Sequence, residues 1–298
     1  MTESRQAKSE TGKEASGDLS VTALYTAQTW RWGQLTCSEY FETQESRIVF
    51  KITNIALAVA RLFIWRLRSL RVSLLHRHCA IDHLVEAFVP VRVVELAAGL
   101  SRRGVSMSAS EALDYVEVDL EPVVAKKLAL LGAHPDGQKC LERENWRCVS
   151  GDVQELELYD VVGQTSRSAV IAEGLFMYFG EEEQMAMWRK IYTSLRDSRA
   201  GLFVFDLVPK NEQPKPGPIG RALEWLMKRF TGGRAFEVDG RTRADIVSAL
   251  ASVGFDRVTA LEPKDYGAQW SLPYPDYRSQ QLLFICEVGE STSDERFF

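Results

Sequence analysis

The chain has 298 residues, 45% hydrophobic and 26% charged, a globular balance that permits a sizeable core. A formal charge of -5 and a pI near 5.6 argue against a phosphate-backbone partner, so nucleic acid is not expected as a substrate. Five scattered cysteines (Cys37, Cys79, Cys140, Cys148 and Cys286) form no C-x-x-C pair, which fits reduced thiols in a cytoplasm better than a disulfide framework.

Met1 to Asp18 is polar and charged without an apolar core, the pattern of a disordered tail rather than of a signal peptide. Val21 to Trp32 then reads as a helix with two tryptophans and a tyrosine around Arg31. It either closes over a bound ligand, which makes Trp30 and Arg31 substrate-side candidates, or packs on the core through its aromatics. Ser46 to Val89 is helical in pattern, its apolar run interrupted by Arg61, Arg66, Arg68 and Arg71. Such a stretch could lie on a membrane surface; the preferred reading is helices that cover a sheet while the arginines snorkel. No charge-free run is long enough to span a bilayer. Residues 19–90 are thus expected to form an N-terminal helical cap. His76, His78 and His83 lack the i, i+4 pairing of a helical metal site, so no metal is expected. Arg77, in R-H-C-A-I-D, lies shortly before the first strand, where a guanidinium could clamp a carboxylate.

Val91 to Gly104 reads V-R-V-V-E-L-A-A-G-L-S-R-R-G: a short buried strand ending in a side-chain-poor turn at Gly99. About 20 residues on, Tyr115 to Leu120 is a second apolar strand ending in Asp119, the place where a carboxylate accepts from ribose hydroxyls. Either motif alone could be an ordinary strand and turn, but their order and spacing favour a nucleoside cofactor. The turn lacks the G-x-G-x-x-G of pyrophosphate binding. S-adenosylmethionine, with a ribose, an adenine and an amino-acid end, fits better.

From Val91 onward strands alternate with helical patterns, as a parallel sheet with crossover helices requires. Further strands are expected at Arg147–Ser150, Ala169–Ala172 and Leu202–Leu207, with two final strands at Phe255–Leu261 and Leu282–Val288. Pro122 opens a helix running to Leu131, Glu181, Glu182 and Glu183 open another, and Asp245 to Val253 is a third, ended by Gly254. Pro209 to Gly220 is a proline-rich loop leading to an amphipathic helix at Arg221–Phe230, so 209–240 is a candidate lid or a scaffold decoration. The α/β domain spans 91–288, followed by a loose tail over 289–298. Two strand-end acids complete the constellation. Asp152, in G-D-V with Val153 beside it, can accept from an adenine amino group or cap a turn. Glu173 interrupts an apolar run and faces the methionine part and the acceptor.

These runs, E-L-A-A-G-L-S-R-R-G, Y-x-E-V-D-L, G-D-V and A-E-G-L-F-M-Y-F, resemble the leucine carboxyl methyltransferase family over roughly Val21 to Val288. More closely they resemble its bacterial branch of carboxyl and hydroxyl O-methyltransferases of polyketide biosynthesis. The resemblance implies an α/β class I methyltransferase fold: a seven-stranded, mostly parallel, Rossmann-like sheet with helices on both faces and a cofactor across the strand ends. It implies cofactor contacts at Arg77, Glu95, Gly99, Asp119, Asp152, Val153 and Glu173, with Glu117 as a second ribose candidate. The stretch from Gly104 to Asp114 is short for a crossover helix and W-R-W is not the usual family opening, so acceptor specificity does not carry over.

The implied reaction is in-line methyl transfer from S-adenosylmethionine to an oxygen of a small molecule, leaving S-adenosylhomocysteine. A carboxylate is ionised near pH 7 and needs no base, whereas a phenol, with a pKa of about 10, does. The absence of a histidine base near the strand ends favours a carboxylate. Glu173 and Tyr178 are the catalytic candidates, and Arg243 and Tyr274 candidates for acceptor contact. A non-catalytic binding protein of the same fold and a dinucleotide oxidoreductase are the rival classes; intact cofactor acids argue against the first and the missing glycine pattern against the second.

Overall fold

The structure, a computed structural model, describes residues 21–63, 68–209, 212, 239–279, 281–290 and 297. The tail expected over 1–18, the helix expected at 221–230, nearly all of the candidate lid 209–240 and most of the tail 289–298 lie outside them.

Three helices precede the sheet: α1 (Val21–Trp32), α2 (Gln44–Phe63) and α3 (Leu70–Phe88), with a short 3-10 turn at Ser38–Phe41. The alternating part runs β1 (Arg92–Leu96), α4 (Arg103–Met107), β2 (Asp114–Asp119), α5 (Glu121–Gly132), α6 (Pro135–Leu141), β3 (Trp146–Ser150), α7 (Leu158–Val162), β4 (Arg167–Ala172), α8 (Glu181–Leu195) and β5 (Ala200–Asp206). It closes with α9 (Arg243–Val253), β6 (Arg257–Leu261) and β7 (Leu283–Gly289). The strand order is β3-β2-β1-β4-β5-β7-β6. β1 to β5 are parallel and β7 runs antiparallel between β5 and β6, the class I methyltransferase architecture. The order reverses between β1 and β4, so the crevice for a ligand lies at the carboxyl ends of those central strands.

The expected strands are all present within a residue or two. Differences arise where local signals were short. α4 has five residues, because Gly104 and the turn Ser108–Leu113 leave no length for a full crossover helix. α6 and α7 cover only seven and five residues and carry too little periodicity to announce themselves. α9 starts at Arg243 rather than Asp245: Thr242 caps it, accepting from the Asp245 N–H at 3.2 Å while Asp245 accepts from the Thr242 N–H at 2.9 Å.

Two cores flank the sheet. One holds Val94, Val116, Val118, Val170, Trp188 and Phe205 beneath α7, α8 and α9; the other holds Val93, Tyr115, Ile171, Ile81 and Leu84 beneath α3 to α6. β5, buried along its whole length, sits between β4 and β7. Phe205 of β5 is fully buried and stacks on Phe284 of β7 at 5.2 Å and edge-on against Phe176 at 5.0 Å. Phe205→Ala should therefore cost about 3–5 kcal/mol, read as a lowered midpoint in urea unfolding. A loss under 1 kcal/mol would show that this aromatic layer does not bear on stability.

Candidate active site

The strand-tip turn is built around Gly99. Leu96 ends β1, Ala97 and Gly99 both adopt left-handed backbone (φ 51 and 54), and the Ala98 N–H donates to the Val118 carbonyl of β2. The left-handed φ at 99 favours glycine. A Cβ there would meet only Ala23 Cβ, at 3.9 Å, so the backbone is bare and α1 passes over it. Across the turn, the Gly99 N–H donates to Asp119 Oδ2 at 2.6 Å and the Leu120 N–H donates to Oδ1 at 2.7 Å. Each oxygen has accepted one bond from protein and retains a lone pair for an outside donor. Burial raises the Asp119 carboxyl above its ordinary range, against the lowering effect of these two amides. A bare turn beside a half-buried acceptor suits a diol-bearing nucleoside, so the residues present fit the implied cofactor.

Beneath the turn lies a network of buried charge. Arg103, fully buried, donates through Nε to Asp82 at 2.6 Å and through Nη2 to Glu173 at 2.9 Å, and its Nη1 pairs with Glu95. Tyr115 donates its hydroxyl to the other Glu95 oxygen at 2.7 Å. Arg77 donates through Nε to Glu173 at 3.0 Å and through Nη1 to Asp206 at 2.8 Å, while Asp206 also accepts from the Gly174 N–H at 2.5 Å. Arg102 pairs with Asp82. His78 Nδ1 lies 2.9 Å from Glu173 and 3.0 Å from Arg103, and Trp30 stacks on its ring at 4.0 Å.

Burial opposes every charge in this cluster, and pairing overcomes it at Arg77, Arg103 and Glu173 but not at Asp206 or Arg102. Burial would raise the Glu173 carboxyl, but His78, Arg77 and Arg103 hold it well below the usual range. Burial and the Arg103 charge push His78 down to about 3, so the ring is neutral at pH 7 and the arginines hold Glu173 ionised there. Asp206 is raised by burial despite Arg77.

The structure thus brings Arg77, Glu95, Glu173 and Trp30 into one cluster, and Gly99 and Asp119 into one hydrogen-bonded turn. Trp30 is 3% exposed, so it is packing rather than an acceptor wall. Glu117 is buried against Lys127 of α5 and near Trp146 of β3. That placement turns it away from the strand tip. Asp152 is exposed and accepts from the Gln154 N–H at 2.9 Å, a turn contact, while Val153 is in the core. Arg31 pairs with Glu42, and Arg243 bridges Glu212 and Glu262 at 2.7 and 3.0 Å, so its guanidinium is engaged in a surface triad. Tyr274 is 53% exposed and stacks on Trp32 at 5.7 Å; Tyr178 ends the 3-10 turn after Gly174. Sequence reasoning missed Arg103, Asp82, His78 and Asp206 as members of the cluster. The R-R-G that follows the turn carries no local signal that Arg103 is buried, since its partners Asp82 and Glu173 lie far from it in the chain. Among the described residues no cluster of His, Cys, Asp or Glu is placed to hold a metal ion, and no helix is long and apolar enough to cross a membrane.

A family model described as leucine carboxyl methyltransferase matches residues 36–192. The tetracenomycin polyketide synthesis O-methyltransferase TcmP of Streptomyces glaucescens is 28% identical over 116 residues, which cover 39% of this chain and 38% of that relative's length. Among solved structures, the S-adenosylmethionine-dependent methyltransferase SibL superposes with a TM-score of 0.49 at 12% identity, covering 90% of this chain and 70% of the other. The mitomycin 7-O-methyltransferase MmcR gives 0.45 at 13%, covering 87% and 60%. At these scores the structural likeness adds nothing to the topology described above.

Arg103→Met would strand Glu95, Asp82 and Glu173 without their shared cation. It should lower stability by about 3–5 kcal/mol in urea titrations, and an unchanged midpoint would refute the network. Glu173→Gln tests the sign of the electrostatics. Because Glu173 is held below its unfolded value, its contribution is complete above the ordinary carboxylate range and is lost as pH falls through the depressed folded value. The stability gap between wild type and variant should be largest at pH 7 and should narrow as pH falls below the ordinary carboxylate range. A gap independent of pH would sink this assignment.

Proposed function

The chain belongs to the leucine carboxyl methyltransferase family, and from that premise we propose that it is an S-adenosylmethionine-dependent O-methyltransferase acting on a carboxylate of a small, polyketide-like metabolite. The observation that carries the reading is the Gly99–Asp119 turn, a backbone amide and a half-buried carboxylate joined at 2.6 Å across the tips of β1 and β2, beside the switch point of the sheet. The match to TcmP, whose name places it in polyketide synthesis, supports the substrate class.

In this reading Asp119 accepts from ribose hydroxyls while the bare Gly99 backbone admits the ligand past Ala23. Asp152 and the Val153 backbone take the adenine edge, and rotation of Asp152 out of its turn bond would supply its acceptor. Arg77, held by Glu173 and Asp206, presents its remaining Nη2 beside Gly174, whose left-handed φ of 70 leaves that guanidinium 3.4 Å from where a Cβ would stand. That nitrogen is the donor for the amino-acid carboxylate. Glu173 contributes as a positioning residue: its oxygens are occupied by Arg77, Arg103 and His78, so it fixes Arg77 rather than moving a proton. Glu95 does the same for Arg103, and Tyr178, which ends the 3-10 turn following Gly174, is a candidate acceptor contact.

The bound sulfonium would supply an activated methyl carbon. The chain's own task is orientation: holding an acceptor oxygen in line with that carbon in a dry site, for which effective molarities reach about 10⁵ M or more. A carboxylate acceptor is already ionised at pH 7. The one histidine near the strand tips, His78, is neutral but fully buried and committed to Glu173 and Arg103, which favours an acceptor that needs no base.

The test is calorimetric titration with S-adenosylhomocysteine, with NAD as control. Micromolar binding of the former alone is expected, weakened about tenfold or more by Asp119→Asn. Carboxylic acids and phenols screened with a labelled methyl donor should then yield esters in preference to ethers. Absence of S-adenosylhomocysteine binding in the wild type would overturn the methyltransferase reading and favour a non-catalytic binding role.

A further inference from the structure

α2 presents apolar residues on two opposite sides. Its inner side is marked by Ser46, Phe50 and Asn54, spaced one turn apart, and each of them meets α1. The Ser46 hydroxyl donates to Gln28 at 2.9 Å, the Phe50 ring lies 5.2 Å from that of Tyr25, and Asn54 accepts from the Tyr25 hydroxyl at 3.4 Å. On the other side Ile48, Ile52, Ile55, Val59 and Leu62 are 49–81% exposed. They recur at alternating steps of four and three residues, a mean of 3.5, and so form one straight seam along about four turns. Ala56 and Ala58, both exposed, flank it. A helix that is apolar on both sides is one whose second side is also covered.

We propose that a second copy of this chain covers the seam, α2 packing antiparallel against its counterpart about a two-fold axis at Ile55. The seam is matched about its own centre: Ile52 and Val59 stand three and four residues to either side of Ile55, and Ile48 and Leu62 stand seven. A two-fold axis there sets Ile55 on Ile55, Ile52 on Val59 and Ile48 on Leu62 with no polar layer between them. Such self-complementarity is what a two-fold dimer requires. Antiparallel placement also opposes the two helix dipoles. The small side chains of Ala56 and Ala58 let the helices approach closely, and the isoleucines and the valine, stiff at χ1, lose little freedom on packing. At about 100 Å² for each aliphatic side chain, the seams of two copies bury about 1,000 Å², the size at which an interface becomes specific. A seam this narrow fits one helix, whereas a lipid surface takes a broader apolar face. α2 also packs on Tyr25 of α1, whose Ala23 lies over Gly99, so the dimer fastens the cap above the strand-tip turn. The pairing does not rest on the methyltransferase reading.

Sedimentation equilibrium of the full-length protein at about 50 μM should give a dimer, twice the 33.6 kDa chain. Ile55→Glu sets two carboxylates against each other on the axis and should weaken dimerisation about a hundredfold or more. Ile55 is exposed in the single chain, so the variant should keep the wild-type circular dichroism spectrum. Ile55→Cys should give a covalent dimer on copper–phenanthroline oxidation, reversed by dithiothreitol, well above any formed by the wild type through its own five cysteines. Ile48→Cys should not, because the antiparallel pairing holds those two positions about 20 Å apart along the axis. Wild-type protein that is monomeric at this concentration, or a dimer unchanged in Ile55→Glu, would overturn the proposal. Crosslinking through Ile48→Cys as complete as through Ile55→Cys would overturn the antiparallel arrangement. A monomer that co-sediments with phosphatidylglycerol vesicles would overturn the pairing by assigning the seam to a lipid surface.

Discussion

A fully buried guanidinium cannot be left unpaired, and Arg103 is one. The penalty for taking such a charge out of water is several kcal/mol even after relaxation, so the chain around it must deliver carboxylates at fixed places. It does so from three elements: Asp82 on α3, Glu95 on β1 and Glu173 at the end of β4. Arg77 and Asp206 extend the same logic to β5. The helical cap, the first strand and the two central strands are thereby tied through one set of directional bonds as well as through apolar packing.

That arrangement bears directly on the strand-tip site. The turn at Gly99 lies four residues before Arg103 in the chain, and Glu173 precedes Gly174, the second left-handed glycine at the strand ends. Glu95 and Arg103 flank the Gly99 turn in the chain and Glu173 adjoins Gly174, so one cluster braces the chain beside both turns. Preorganisation of this kind would suit the in-line displacement proposed above. It also explains why a carboxylate at a strand end, read naively as an acid or base, acts instead as a brace.

The cap contributes in two ways. Its inner surface, through Ala23, Trp30 and His78, closes the polar cluster from above. Its outer part, where α2 meets α3, carries Lys51, Arg61 and Arg71 beside Phe50, Ile55 and Leu57.

The sequence by itself determined the architecture, because buried parallel strands and their crossover helices are local patterns: V-R-V-V-E-L, Y-V-E-V-D and L-F-V-F-D each carry enough β-branched, aliphatic or aromatic residues to be read singly. It also determined the Gly99–Asp119 pair, whose spacing is a property of one strand–turn–strand unit. Only the tertiary structure decided what the remaining charges do. Glu117 and Glu95 sit opposite one another in adjacent strands, yet one answers to Lys127 and the other to Arg103, because different helices cover them. Arg243, Arg31 and Trp30 were plausible at an acceptor site from residue type alone, and long-range neighbours claimed each for pairing or packing. Charge pairing depends on distances between residues far apart in the chain, and no local periodicity encodes them.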